Sequence, residues 1–563
     1  MKKSILALGA AAVVGGLGFA GTAQALSYFG PGSVGTTATK MTLNPGGIGS
    51  ELFVPYYSAQ GSNATLLNIT NTDTVNGKIV KVRFRGATNS DDVMDFTLYL
   101  SPGDMWSANI GQDPDGYANL ITKDNSCVAP SVEDGTLWHG DASGNRAVPF
   151  ITSRLAPYLS VDQKKANTRE GYIEILNMAD VPPLYVAGAT DLAGNALKGT
   201  NPLFTAIKHK NGVPPCTQAV IDTISNDTTE PGDVHKVEGF GVAAGTGQLM
   251  ASWMILDIAR MAQFSGVAMA IAADGGTNIV VNPQLEGFYN GNAVTTDPLL
   301  VVDAVSGVAI VTPQWFDFPD MSTPMTPTAF APPPVVAPYV QFATPAAYQA
   351  VEISRQLSVT PNSVTNEYLN APNEAIPENT DWVVSQPSRR YFAAVDYGLT
   401  STGTTGPRII YNVTDGIVPD NNPYIKAGAL TPAGGVLTLM TKDSSGPVAC
   451  LTGKFTAIFD REELTTSSRP VLSPTINQAA FYCGEVFTLT FGRSPLSAAL
   501  TNLQTSGGSL EGWATLGLSG SGIAAPNHVG ATLPIMGYAA INGFTGSAAV
   551  GGTWPHRWHL GGN

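Results

Sequence analysis

Closely spaced carboxylates are the residues of this sequence best suited to chemistry. In "GQDPDGYANL", Asp113 and Asp115 flank a proline ahead of a glycine, and a hard cation such as calcium seeks several oxygens held close together. "NSDDVMD" offers Asp91, Asp92 and Asp95, and "VPDNNP" offers Asp420, Asn421 and Asn422. None completes a known calcium loop, and "DPDG" is also a good β-turn, so Asp113 and Asp115 stand as the calcium candidate with a structural alternative beside them. Glycoside hydrolysis is the second chemistry to test, and it needs two carboxyl groups ~5 to 9.5 Å apart. Glu170 and Glu174 in "TREGYIEIL" are the pair to inspect. Four apart in a strand, their backbones would stand about 13 Å apart, which favours two solvated side chains on an outer face.

His556 and His559 in "WPHRWH" have the i, i+3 spacing that would hold a metal on a helical turn. The competing expectation is a tryptophan-anchored strand whose polar residues face water. Beyond its leader the chain lacks G-x-S-x-G, H-E-x-x-H, a phosphate-binding P-loop and a strand-flanked G-x-G-x-x-G. No catalytic residue is assigned, and calcium is the one cofactor considered. The four cysteines, Cys127, Cys216, Cys450 and Cys483, are even in number, as expected of disulfides in an oxidising compartment. Of the three possible connectivities, Cys127–Cys216 with Cys450–Cys483 is preferred, because each pair then lies within one half of the chain.

These residues need strands to position them. In "GKIVKVRFRGATNSDDVMDFTLYLSPGDMW", Val80, Val82 and Phe84 alternate with Lys81, Arg83 and Arg85, and Met94, Phe96, Leu98 and Leu100 alternate with Asp95, Thr97 and Tyr99. Period-two alternation with a Gly/Asn/Ser/Asp-rich link predicts a hairpin, half-buried on one face. Asp95 would then pair with a base of the first arm, and an exposed pair contributes at most about 1 kcal/mol. A bare Arg83/Arg85 cluster is the alternative, as an anion site. "TLLNITNT", "EGYIEILNMA", "QLMASWMILDIA", "RIIYNV" and "VFTLTFG" are further short apolar or alternating runs bounded by turn residues. Such spacing predicts a mainly β protein of two or more antiparallel sandwich units, immunoglobulin-like or jelly-roll-like, with few short helices.

The organisation expected is a signal peptide over 1–25, a β-rich region over 26–311, a proline-rich connector over 312–345 and a second β-rich region over 346–563. "MKKSILALGAAAVVGGLGFAGTAQA" has the basic, apolar and small-residue parts of a secretory leader, and no later run is long enough to predict a spanning helix. Lys2 and Lys3 leave with the leader, so the formal charge falls from −14 to −16. That charge argues against nucleic acid and anionic lipid as partners. Only 13% of residues are charged, against a typical value of about 25%; such a neutral surface suits side-by-side packing or contact with a solid.

The block "LNPGGIGSELFVPYYSAQGSNATLLNITNTDTVNGKIVKVRFRGATNSDDVMDFTLYLSPGDMW", with "NTREGYIEILNMADV", "TNEYLNAPNEAIPENTDWVVSQPSRRYF" and "LPIMGYAAINGF", resembles a family of large secreted cell-surface proteins of Gram-negative bacteria. The resemblance spans most of the chain beyond the leader and brings no catalytic residues with it. It implies an extracellular, surface-associated role. The expected function is therefore a structural or adhesive surface protein, forming a layer or fibre or attaching to a solid or polysaccharide, with self-association or envelope components as partners. A wetting agent for solid particles is a narrower form of that role, and a secreted polymer-degrading hydrolase is the alternative.

Overall fold

The computed structural model describes residues 28–281 apart from 31, 131–138, 141–145, 158, 192 and 226–233. It then describes 284, 300–302, 309–311, 319–321, 323, 325–327, 363–370, 376–387, 389–391, 393–397, 399–400, 403–404, 408–412, 431–432, 438–442, 446–460, 480–500, 502–504, 511–518, 522–525, 528–532, 535–545 and 548–558. The expected leader, His559, Asp420 to Asn422 and most of the connector fall outside these residues.

Period-two alternation builds the first sandwich. One seven-stranded sheet runs His139–Gly140, Arg146–Pro149, Ala118–Thr122, Met105–Gln112, Asn63–Asn71, Leu249–Asp257 and Ala262–Val267. The other runs Met41–Asn44, Met269–Ala273, Glu51–Ser58, Glu170–Val181, Gly77–Gly86, Asp92–Leu100 and Cys127–Ala129. All pairings in both are antiparallel. Leu67, Ile69, Trp106 and Phe264 of the first sheet meet Val80, Val82, Phe84, Phe96 and Ile173 of the second in one core. Gly171 sits where a side chain would collide with the Arg85 carbonyl, so the central strand needs glycine there to come this close to Gly77–Gly86.

A third layer covers the other face of the second sheet. Ile79, Tyr99, Met178 and Val181 pack there against Leu203 and Ile207 of the helix Pro202–Ile207, and against Ile221 and Ile224 of the helix Gln218–Ser225. Met321 and Met325, within the expected connector, join the same cluster at 0% exposure. The described part of that segment is therefore packed inside the protein rather than laid across its surface.

The second sandwich is mainly antiparallel too. Ser363–Leu369, Glu511–Leu518, Gly446–Asp460 and Thr438–Lys442 form one sheet, with Ala480–Cys483 also paired to Gly446–Asp460. Asn502–Gln504, Val486–Phe491, Glu378–Ser385, Met536–Thr545 and Ala548–Pro555 form the other, in which Val486–Phe491 and Asn502–Gln504 run parallel. Trp382, Val384, Phe455, Phe491 and Leu516 fill the space between them. On the opposite side of the second of these sheets, Val383, Tyr538 and Ala540 enter the core of the first sandwich. The Tyr538 ring lies 4.7 Å from that of Trp253.

Candidate functional site

The basic arm of the first hairpin is fully buried, which corrects the expectation of an exposed outer face. Lys81, Arg83 and Arg85 are each 0% exposed because the third layer lies over them. Lys81 meets Asp95 at 2.9 Å and donates to Gln284 at 2.6 Å. Arg83 meets Asp92 at 3.0 Å and donates to the Pro319 carbonyl at 2.7 Å. Arg85 donates to Glu174 at 2.9 Å, and Asp320 stands 3.9 Å from Arg85 and 3.7 Å from Arg390. Burial lowers the affinity of Lys81 for its proton. Burial also opposes ionisation of Asp95, yet the Lys81 ammonium holds that carboxyl below its usual range. The guanidinium groups are occupied by protein partners, so this cluster is a lock between distant segments rather than an anion site.

Glu170 and Glu174 are not solvated either. Their exposures are 1% and 0%. Glu174 belongs to the Arg85 pair, whereas Glu170 accepts from the Ala499 amide at 2.9 Å in the seam with the second sandwich, where burial pushes its carboxyl up. The pair has separate partners and no water-facing surface on which to act on a polymer.

Asp113 closes a hairpin turn. It accepts from the Tyr117 amide at 2.9 Å, and Gly116 takes the positive φ of 94° that the turn requires. Asp115 is exposed in the same turn. Among the described residues no three His, Cys, Asp or Glu side chains gather as a metal site. Cys127 is bonded to Cys216 and Cys450 to Cys483. His556 is 4% exposed, not water-facing: its Nε2 donates to the Val383 carbonyl at 2.8 Å, Asn366 Nδ2 donates to its Nδ1 at 2.9 Å, and burial lowers its pKa to about 4.

Two constellations were not foreseen. Ser101 Oγ and Asp104 Oδ2 lie 3.1 and 3.5 Å from His209, but both approach the same nitrogen, Nδ1, so the group lacks the relay through two ring nitrogens that a serine nucleophile needs. A pocket of about 110 Å³ opens beside the Cys127–Cys216 bond, next to Arg146 and Gln218. That is well below the ~300 Å³ at which ordinary ligand sites begin.

The outer face of the first sheet is the larger feature. Its cross-strand rows are Met105, Thr70 and Met250; Ser107, Asn68, Ser252 and Val267; Ile121, Asn109, Leu66, Met254 and Ser265. Asn119 opposite Gly111, and Leu256 opposite Gln263, continue it. No Asp, Glu, Lys or Arg stands at any of these positions. Met105, Met250 and Val267 are 54%, 42% and 71% exposed. The signal was present in the sequence: in "TLLNITNT", "MWSANIGQ" and "QLMASWMIL" the outward positions of the alternation are never charged.

No family model, curated protein or solved structure matches the chain.

Proposed function

We propose that this chain is a secreted cell-surface protein with a structural or adhesive role, working through the uncharged face of its first sheet. The observation that carries the reading is a broad face of Met, Leu, Val, Asn, Ser and Thr without one charge, on a molecule of net charge −14 or, without its leader, −16. Like-charge repulsion is smallest there, and exposed methionines adapt their shape to a partner. The two disulfides suit an oxidising compartment, and among the described residues no helix is long and apolar enough to cross a membrane. The partners that fit are other copies, envelope components and weakly charged solids.

Salt separates this mechanism from charge attraction. At about 0.15 M salt, repulsion beyond roughly 8 Å is screened, so self-association and adsorption to apolar or mineral particles should strengthen as salt rises. Ser107→Asp with Ser252→Asp places two charges about 10 Å apart on the face, either side of Asn68. Sedimentation and particle-depletion measurements should show the double variant less associated at every salt concentration. A wild-type protein that stays monomeric and leaves all such particles bare would defeat the proposal.

A further inference from the structure

The outer face of the second sandwich carries a different row. Phe459, Trp513 and Glu367 are direct cross-strand partners on three neighbouring strands, and direct partners in antiparallel pairing share one face. The Trp513 indole lies on the Phe459 ring, with centroids 4.9 Å apart and planes inclined by 19°, yet Trp513 remains 41% exposed. Beyond it the Glu367 carboxylate is 2.6 Å from the Arg557 guanidinium. The adjacent row is Ala457, Thr515 and Thr365, whose two hydroxyl groups are 2.8 Å apart. These small side chains leave a shallow step beside the indole.

Side chains on the buried face below tie the strands together. Trp382 donates its indole N–H to the Glu367 carbonyl at 2.9 Å, and Tyr368 stacks on Phe491 with centroids 4.6 Å apart. Stacking on Phe459 restricts the Trp513 ring before any ligand arrives, which lowers the ordering cost of binding. The carboxylate and guanidinium are already paired, so the row offers no net charge to an ion. What remains is a flat apolar ring bordered by hydroxyls and by groups able to donate and accept. A sugar ring has the complementary shape and chemistry, with C–H bonds on its face and hydroxyls around its rim. A stable protein partner would need about 800 Å² per side with a buried aromatic cluster, whereas this row presents one half-exposed indole.

We infer that the Phe459–Trp513–Glu367 row is a subsite for an uncharged polysaccharide whose pyranose rings lie flat. It names a ligand class for the adhesive reading and rests on that reading. Full-length protein is mixed with microcrystalline cellulose and, separately, with chitin particles, and its depletion from solution is measured. Saturable depletion by at least one is expected. Trp513→Ala should weaken it by about tenfold or more, and Trp513→Tyr, which keeps a ring, by less than about threefold. If Trp513→Ala does not fold, Thr515→Arg fills the step while keeping the indole and should abolish depletion. Ser107→Asp with Ser252→Asp should leave glycan depletion intact while loosening self-association, so the two readings fail separately. Wild-type protein left in solution by both particles, or a folded Trp513→Ala or Thr515→Arg that is depleted like wild type, overturns the inference. Self-association lost in Trp513→Ala without glycan also overturns it, by making the row a protein contact.

Discussion

At Asp91, burial and hydrogen bonding pull in opposite directions. Burial raises the carboxyl to about 7, while the Tyr397 hydroxyl donating at 2.6 Å and the Arg154, Arg390 and Arg85 guanidiniums work to lower it. Burial likewise takes Glu485 to about 7 and Asp381 to about 6. For a carboxyl raised above its unfolded value near 4, the stability it contributes is fully present below that value and is lost as pH rises through the folded one. Asp95, held low by Lys81, has the opposite sign, contributing above its unfolded value and losing that contribution as pH falls. The midpoint of urea unfolding should therefore drop from pH 5 to pH 8. Asp91→Asn, neutral throughout, should flatten that drop, and an unchanged slope in the variant would remove Asp91 from the explanation. Arg85 contributes in another way: with Glu174 buried beside it, loss of the guanidinium would leave an uncompensated charge, a change that typically costs about 3–5 kcal/mol.

The strands themselves could be read from alternation, because a half-buried strand writes its inward face into every second residue. Gly77–Gly86 and Asp92–Leu100 form the two arms expected, with Arg83 opposite Asp95 in register. What covers their polar face could not be read. The covering residues are Gln284, Pro319, Asp320, Arg390 and Tyr397, more than 180 positions away along the chain, and periodicity carries no information at that range. The same limit hid the burial of Glu170, held by the Ala499 amide of the other half, and of His556, held by strands more than 170 positions back along the chain. The outward face of the first sheet, by contrast, was legible as alternation without charge. Disulfides connect elements in the same long-range way. Cys450 and Cys483 face each other across Gly446–Asp460 and Ala480–Cys483, so replacing both by alanine frees a 33-residue separation and should lower stability by about 4 kcal/mol under the chain-entropy model. Comparing urea midpoints of the double variant and wild type checks this, and a difference under about 1 kcal/mol would mean that the paired strands hold each other without the bond.

At the scale of the molecule, the question is whether two sandwiches make two folding units. The sheet containing Glu378–Ser385 and Met536–Thr545 is buried on both sides: Trp382 and Val384 enter its own core, while Val383, Tyr538 and Ala540 enter the core of the first sandwich. Val486, Leu496 and Leu500 lie in that shared cluster too, and Asn63 Nδ2 donates to the Leu496 carbonyl at 2.6 Å. Separating the halves would expose this apolar surface at roughly 25 cal/mol per Å² and deprive Glu170 of the Ala499 amide. Met321 and Met325, within the segment expected as a connector, have no exposed surface. Heating should therefore produce one calorimetric transition. Tyr538→Ala, which removes the ring lying 4.7 Å from that of Trp253, should move that whole transition down, since deleting a large buried aromatic costs about 3–5 kcal/mol. Two resolved transitions, of which the variant shifts one alone, would show instead that the sandwiches fold independently and that the seam between them is only a contact.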